Sequence, residues 1–381
     1  MKKSNALHWV GSIARTLLAL TFLFSGFVKA VDPLGTTYKI EDYLKAFGGF
    51  FTDLIPLAEA AAVCLIAIEF TLGFCMLLNV CTQWTSWLSL VFYTVMLPLT
   101  LYIAIANPVS DCGCFGDALV ISNWATFWKN VVLMTLVIIL LCTKRYIPQT
   151  FVLGVELGIA VIGLAIAGGI MLYTRTHLPL LDFRPYKIGN NIPELMEIPD
   201  DADPDQYATT FIYEKDGVEQ EFTLDNYPKG DSTWTFVDQK STLIKKGYEP
   251  KIHDFEILTL DYDDITYDVL ESEVPVTLVI MYDLAKTDLR QIDKVNALYN
   301  ECIAKEEPFY ILTGSGEQDI ELFCFGIESD NRSNMLTPFN HPDMVFCTCD
   351  PVTLKTIVRA NPGVIVVENG TIIDKYNIRN R

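Results

Sequence analysis

Five stretches of the chain are apolar over the length that a lipid bilayer demands. A helix needs about 20 mostly apolar residues to cross a hydrocarbon core of about 30 Å. The stretches are, approximately, Leu7–Val31, Leu57–Val80, Trp84–Ala106, Asn123–Cys142 and Phe151–Tyr173. The sequence therefore predicts an all-α transmembrane helix bundle over residues 1–176, with the lipid bilayer as its surroundings.

Charge is distributed unevenly along the chain. Residues 1–180 contain 10 Lys and Arg against 9 Asp and Glu, a balance of +1. Residues 181–381 contain 18 against 38, a balance of −20, and the two sum to the net charge of −19. Such an acidic second half offers little to neutralise phosphates, so we expect no nucleic-acid partner.

The basic residues near the span ends predict the orientation. Lys2 and Lys3 precede the first span, which we expect to be uncleaved because no A-x-A site follows it. Lys144 and Arg145 lie between spans four and five, on the same side if all five spans cross. The positive-inside rule makes that side cytoplasmic. The sequence thus predicts a bacterial inner-membrane protein with a periplasmic C-terminal region.

The segment Tyr38–Ile55, between spans one and two, carries apolar residues at helical spacing. It is typical of an amphipathic helix at the membrane interface. A loop folded over the mouth of the bundle is the alternative.

Four charged residues lie within spans one and two, where an ionisable group is costly unless it is paired or faces a cavity. They are Arg15, Lys29, Glu59 and Glu69. Because the two spans run antiparallel, one interpretation is a pair of helix–helix ion pairs, Arg15 with Glu69 and Lys29 with Glu59. The other is a polar pocket for a proton path or a small polar or quinone-like ligand, with Glu69 as the deeper carboxylate.

The end of span one, Phe24-Ser25-Gly26-Phe27-Val28-Lys29, resembles the F-x-x-G-x-K type of ending in the DoxX family, although the spacing differs. Glu69 followed by Gly73 is similar to the second helix of that family. The resemblance covers about the first 145 residues. It implies a four-helix DoxX-like bundle, to which this chain adds a fifth span.

A Cys-Gly-Cys sequence, Cys112-Gly113-Cys114, follows span three on the predicted outer side. Thiols at this spacing can form a small, easily reduced disulfide, which can persist in an oxidising compartment. The neighbouring Asp111 and Asp117 are expected to raise the thiol pKa. A structural disulfide or turn and a metal site are the alternatives, but the outer loops of this half supply no His and no further Cys for zinc. We expect no metal.

The run Cys112-Gly113-Cys114-Phe115-Gly116 resembles the Cys-Gly-Cys-Phe-Gly motif of the MauE family, within the broader DoxX-like group. That family is associated with maturation of methylamine dehydrogenase through disulfide formation. The resemblance implies a redox role for Cys112 and Cys114. It does not extend to the substrate, because the long C-terminal half departs from the short family members.

Residues 177–252 are predicted to form a linker and a small β-element. Pro and Asp are frequent through Pro204, and Thr209–Tyr213 and Gln220–Leu224 flank an Asp216-Gly217 turn signal. Trp234–Val237 is a candidate third strand.

Residues 253–381 alternate between strand and helix patterns, which predicts an α/β domain. Its end, Asn361-Pro362-Gly363 with an apolar strand and an Asn-Gly turn, resembles a thioredoxin-like fold. The resemblance implies that Pro362 is that fold's cis-proline. The family's Cys-x-x-Cys would follow the strand Val276–Tyr282, where this chain has Asp283–Leu289 without cysteine.

Cys347 and Cys349 form a second C-x-C at a strand end. They are either one buried and one edge cysteine or secondary thiols that exchange with Cys112 and Cys114. The leading functional hypothesis is thiol–disulfide handling or maturation of a periplasmic partner, with a redox client and a quinone as one candidate electron acceptor; no cofactor is certain. The rival is a non-enzymatic membrane scaffold with structural cysteines.

Overall fold

The N-terminal half of the computed structural model is a bundle of long helices. Residues 2–109, 112–148, 150–204, 206–215, 217–224, 226–231, 233–245, 247–325 and 343–381 are described; Asp111 and Asp216 therefore lie outside the described residues. Within these residues, five helices are long and apolar enough to cross a membrane, which confirms the predicted spans. The helices are α1 (Lys2–Val31), α2 (Pro33–Phe47), α3 (Ala58–Leu77), α4 (Thr82–Ala106), α5 (Asn123–Thr143) and α6 (Leu153–Thr176).

The segment after the first span is helical. Of the two alternatives for Tyr38–Ile55, a helix or a loop, the structure therefore agrees with the helix. Asp32 caps α2 by accepting a hydrogen bond from the Gly35 backbone N–H, and Pro33 occupies the first turn. Gly48, at φ +64°, ends α2, and a 3₁₀ segment, Gly49–Leu57, leads into α3. The helix α2 is therefore a short outer element between two spans.

Two glycines let α1 and α3 approach closely. A Cβ on Gly26 would meet the backbone nitrogen of Phe70, and one on Gly73 would meet the backbone nitrogen of Leu23. Both glycines belong to the segments that resemble the DoxX family. Close backbone approach at these points brings the end of α1 level with the middle of α3.

A three-stranded antiparallel sheet follows α7 (Ile192–Met196). Its strands are β1 (Gln206–Lys215), β2 (Val218–Thr223) and β3 (Thr235–Lys245), in the order β2-β1-β3. The predicted hairpin is confirmed by the β1–β2 register. The third strand is longer than predicted because it continues through Asp238–Ser241, a polar and solvent-exposed run without the apolar alternation that marks a strand in sequence.

The C-terminal region is a mixed α/β structure, which confirms this part of the predicted fold class. Its described strands form one six-stranded sheet, in the order β4-β7-β6-β5-β8-β9. Strands β5, β6 and β7 are parallel, and β8 and β9 are antiparallel additions. The elements are β4 (Leu258–Thr259), α8 (Thr266–Leu270), β5 (Val276–Ile280), α9 (Ile292–Lys305), β6 (Phe309–Thr313), α10 (Glu317–Phe325), β7 (Val345–Thr348), α11 (Pro351–Ile357), β8 (Gly363–Glu368) and β9 (Thr371–Asn377).

Apolar clusters cover both faces of this sheet. The Asn361–Pro362 peptide bond is cis, as predicted. Helix α9 begins at Ile292 rather than near Lys286, because two short 3₁₀ turns precede it. The thioredoxin-like assignment and the domain boundaries remain predictions.

Candidate functional site

A cavity of about 200 Å³ lies where the bundle, α2 and the C-terminal region meet. Membrane residues form its floor, the Cys-Gly-Cys loop forms one wall, and residues from the C-terminal half close it. Among the lining residues are Lys29, Glu69, Cys112, Cys114, Arg184 and Arg359. The fold therefore brings two of the four predicted membrane charges to the two predicted redox cysteines.

Cys112 and Cys114 lie side by side at this cavity. Their Sγ atoms are 3.0 Å apart, and both are free thiols. The intervening Gly113 has φ +62°, a conformation that glycine adopts without the steric cost paid by other residues. The Tyr43 hydroxyl donates to the Cys112 carbonyl at 2.6 Å, which attaches the loop to α2. A disulfide, with sulfurs about 2.05 Å apart, needs only a small further approach.

The two thiols differ in their protonation. Cys114 has its pKa lowered to about 6, chiefly because Cys112 donates a hydrogen bond to its sulfur. Burial and Glu69 oppose this, whereas the charges of Lys129 and Lys29 favour the thiolate. The same hydrogen bond and burial raise the pKa of Cys112. At neutral pH the arrangement favours a Cys114 thiolate beside a Cys112 thiol.

The prediction that neighbouring carboxylates raise the thiol pKa is wrong for Cys114, whose pKa is lowered chiefly by the hydrogen bond from Cys112. Asp117 points toward Arg359, with the Asp117 Oδ2 atom 3.7 Å from the guanidinium. The cations that act on Cys114 come from two membrane helices, which local sequence around the motif does not reveal.

Lys29 and Glu69 form a buried ion pair beneath the loop. The Lys29 Nζ atom lies 2.7 Å and 2.9 Å from the two Glu69 carboxylate oxygens, and it also donates to Ser25 Oγ at 2.8 Å. Ser25 Oγ is 2.7 Å from both Glu69 Oε2 and the Cys114 carbonyl oxygen. Its single proton can serve either acceptor, so Ser25 links the ion pair to the cysteine loop.

The predicted pairing of Arg15 with Glu69 and of Lys29 with Glu59 is wrong. The close approach of α1 and α3 at Gly26 brings Lys29 within reach of Glu69. Glu59 instead lies 3.2 Å from Arg175 of α6 at an exposed position. Arg15 donates to the Met76 carbonyl at 2.7 Å, near the other end of the bundle. Depth along each helix was insufficient to predict the partners.

The helix α2 and the C-terminal region cover the cysteine loop. A Cβ on Gly113 would meet the Lys39 side chain of α2 at 2.8 Å. The Tyr38 hydroxyl lies 3.4 Å from that of Tyr282, which follows β5. Arg359 lies 2.9 Å from Asp32, the cap of α2. The helix α2 therefore lies over the cysteine loop and contacts the C-terminal region on its other side.

The sheet edge near Pro362 also faces this cover but supplies no thiol. The Asn361 side chain donates to the Asp283 carbonyl at 2.7 Å and accepts from the Thr287 hydroxyl at 3.1 Å. Asp283–Thr287 is the segment in which the thioredoxin family would place its cysteines.

Cys347 and Cys349 are not part of the cavity. Both are buried in one apolar cluster of the C-terminal region, so the expectation of one edge cysteine is wrong. Burial raises the pKa of Cys347 to about 11 and that of Cys349 to about 12. Exchange between them and Cys112 or Cys114 therefore has no support from this arrangement.

Sequence reasoning missed Lys129, Tyr43 and Arg359. Lys129 lies within the fourth span, so the rule that selected Lys29 could have found it. Tyr43 and Arg359 carry no sequence signal, because their roles depend on tertiary contacts. Among the described residues, no group of three or more His, Cys, Asp or Glu side chains could hold a metal ion.

Comparison with known proteins assigns the membrane region. Residues 7–143 match the model of the family described as methylamine utilisation protein MauE. This range contains four of the five candidate spans and the Cys-Gly-Cys loop. Residues 207–246, most of the three-stranded sheet, match a domain of unknown function, DUF8463. No curated protein and no solved structure matches the chain.

Proposed function

We propose that this multi-pass membrane protein, whose residues 7–143 match the MauE family model, exchanges disulfides with a partner protein. One observation carries the proposal: two cysteine sulfurs 3.0 Å apart, with opposite shifts in pKa, line a cavity. A thiolate beside a protonated thiol suits exchange, because the thiolate is the nucleophile.

The protons and electrons of the exchange balance between the client disulfide and the cysteine pair. The Cys114 thiolate attacks a client disulfide, forming a mixed disulfide and releasing one client thiolate, which takes the Cys112 proton. The Cys112 thiolate then attacks Cys114 Sγ and releases the second client thiolate. The client gains two electrons, and the cysteine pair becomes a disulfide. The direction depends on the two reduction potentials.

In the opposite direction the pair oxidises client thiols and must then be reoxidised. A membrane quinone is the acceptor class that we propose: a dithiol and a quinone yield a disulfide and a quinol. Leu65 of α3 and Met96 and Leu99 of α4 give the cavity an apolar side within the bundle. That side suits an acceptor arriving from the lipid.

The proposed location is the inner membrane, with the N-terminus cytoplasmic and the C-terminal region periplasmic. Lys2, Lys3, Lys144 and Arg145 support this orientation. The His8 ring nitrogen lies 3.2 Å from the Tyr146 carbonyl, so both basic segments lie at the same end of the bundle. The cysteine loop and the C-terminal region lie at the opposite end.

In this proposal the C-terminal region is a thioredoxin-like domain that lacks the Cys-x-x-Cys pair of that family. Three parallel strands followed by two antiparallel ones support that assignment. Its function would be to position clients over the membrane cysteines. The rival function is a scaffold with structural cysteines, which is favoured by the burial of Cys112, only 7% exposed beneath α2.

Thiol trapping in intact cells tests the proposal. Free thiols are blocked with a light alkylating reagent, the protein is reduced, and new thiols are labelled with a heavy reagent. Exchange activity predicts that heavy label appears on Cys112 and Cys114 together, in a proportion that changes when cells are shifted between reducing and oxidising media. Light label on both under all conditions would support the scaffold. A reporter active only in the periplasm, fused after Arg381 or at Lys144, tests the orientation.

A further inference from the structure

Lys129 is a cation within a membrane-spanning helix that has no carboxylate partner among the described residues. It lies on α5, nearly two turns after the helix begins at Asn123. Its ammonium lies 4.3 Å from the centroid of the Phe115 ring, and Phe115 directly follows Cys114 in the chain. A cation–π contact offsets only part of the cost of a charge at this depth. The position therefore calls for a negative partner.

Lys129 and Cys114 share a small internal cavity of about 20 Å³. This volume suits one water molecule, given polar partners. The polar residues that line the cavity are Thr21, Ser25, Glu69, Tyr93, Cys114, Lys129 and Asn130. A Cys114 thiolate is thus placed to supply the negative partner that Lys129 lacks.

The other charges around Cys114 are largely neutralised by each other. On α1 and α3, Lys29 and Glu69 pair at 2.7 Å, so their fields at Cys114 oppose one another. The Asp117 carboxylate faces Arg359.

The remaining polar neighbours come from α2 and α4. On α2, Tyr43 donates to the Cys112 backbone, and Lys39 covers Gly113 with its aliphatic stem. On α4, Tyr93 lines the small cavity. Lys129 is thus a cation beside Cys114 that forms no ion pair with a carboxylate among the described residues.

We infer that Lys129 is a positioning residue that, together with the Cys112–Cys114 hydrogen bond, makes Cys114 the attacking thiol of the pair. The role of Lys129 in exchange rests on the proposed function. Its effect on the reactivity of Cys114 can be measured whether or not the protein exchanges disulfides. Lys129 does not bond to the client. It stabilises the Cys114 thiolate before attack, while Cys112 keeps the proton that the first client thiolate takes. Exchange then begins at a defined sulfur.

The test is the pH dependence of Cys114 alkylation in the full, reduced protein in detergent. Iodoacetamide is applied across a pH series, and modification is quantified on the peptide containing Cys114. Lys129→Met removes the charge and keeps an apolar stem suited to a membrane helix. We expect its alkylation midpoint to rise by about one pH unit, with an approximately tenfold lower rate below both midpoints. Lys129→Arg should retain the wild-type midpoint.

Lys45→Gln is the matched control, because Lys45 is an exposed cation at the end of α2. It should leave the midpoint unchanged. If Lys129→Met folds poorly, Lys129→Gln provides a second neutral variant. A wild-type midpoint in a folded neutral variant, or a midpoint that Lys129→Arg shifts as far as Lys129→Met, overturns the inference. A shifted midpoint together with cysteines that never change redox state in cells would overturn the proposed function alone.

Discussion

Arg359 Nη2 lies 2.9 Å from Asp32 Oδ2, across the junction between the C-terminal region and the membrane bundle. The Arg359 side chain is only 7% exposed, and its guanidinium also lies above the Tyr38 ring. Lys355, one turn earlier, stacks over the same ring at 5.0 Å. The C-terminal half has a net charge of −20 but docks on α2 through two of its cations. A charged, hydrogen-bonded contact of this kind can be released without disrupting either core.

Arg359→Ala should loosen the cover over the cysteines. It removes the bonds to Asp32 and leaves that carboxylate without the guanidinium. We expect Cys112 and Cys114 to be alkylated several-fold faster at fixed pH, measured by mass spectrometry. Arg290→Ala removes an exposed arginine that bonds the nearby Asp288 and lies outside the junction with α2, so it should not change the rate. Equal rates in both variants and the wild type would mean that α2 does not control access.

Glu69→Gln should destabilise the bundle because it leaves the buried Lys29 charge without its counter-charge. Breaking a buried pair costs about 3–5 kcal/mol in proteins. We expect a lower yield of folded protein and a lower thermal midpoint in detergent. The double variant Lys29→Glu with Glu69→Lys should recover part of the loss.

Glu59→Gln is the control for that experiment, because it lies on the same helix but pairs with Arg175 at an exposed position. A surface pair contributes about 0–1 kcal/mol, so little change is expected. Equal losses for the two Gln variants would contradict the difference in burial.

Gly113→Ala should strain the cysteine loop. The residue has φ +62°, which costs other residues about 1–2 kcal/mol, and the new Cβ would press against Lys39. We expect slower formation of the Cys112–Cys114 disulfide with a mild oxidant, followed by thiol counting. Gly158→Ala on α6 faces open space and should behave as wild type. A normal rate for Gly113→Ala would show that the loop tolerates another conformation.

Cys112→Ser and Cys114→Ser should differ in trapping clients. Cys114 is the thiolate, so with Cys112 replaced the mixed disulfide cannot be resolved and should accumulate as a shifted, reductant-sensitive band on gels. With Cys114 replaced, the raised pKa of Cys112 leaves little thiolate, and we expect much less of this species. Cys349→Ser removes a buried thiol outside the cavity and should not change the pattern. More trapping by Cys114→Ser would reverse the assignment.

Sequence reasoning was most effective where one physical rule decides. Length and hydropathy were enough for the five spans, and alternating strand and helix patterns were enough for the α/β region. The same rule about buried charge identified Lys29 and Glu69 as special positions. It did not reveal that they are partners, because that depends on how closely α1 and α3 pack at Gly26 and Gly73.

The chemistry of the cysteine pair lay beyond local sequence. The carboxylates beside the motif predicted raised thiol pKa values, whereas Lys29 and Lys129, which favour the Cys114 thiolate, lie on membrane helices outside the motif. The cover is equally non-local: Asp32 and Arg359 are at opposite ends of the chain. The prediction of an edge cysteine from the Cys347-Thr348-Cys349 pattern failed because strand pairing is also non-local. The strand β7 is an inner strand of the sheet, with β4 beyond it.

The chain enters and leaves the three-stranded sheet at neighbouring positions. The Tyr248 backbone N–H donates to the Asp203 carbonyl at 2.8 Å, so the residues on either side of the sheet are adjacent. Within the part of the chain that the structure describes, the intervening strands pair with one another and not with the six-stranded sheet. The sheet is thus a self-contained insertion, which could be excised and its ends rejoined by a tight turn while the cysteine cavity and its cover keep their geometry.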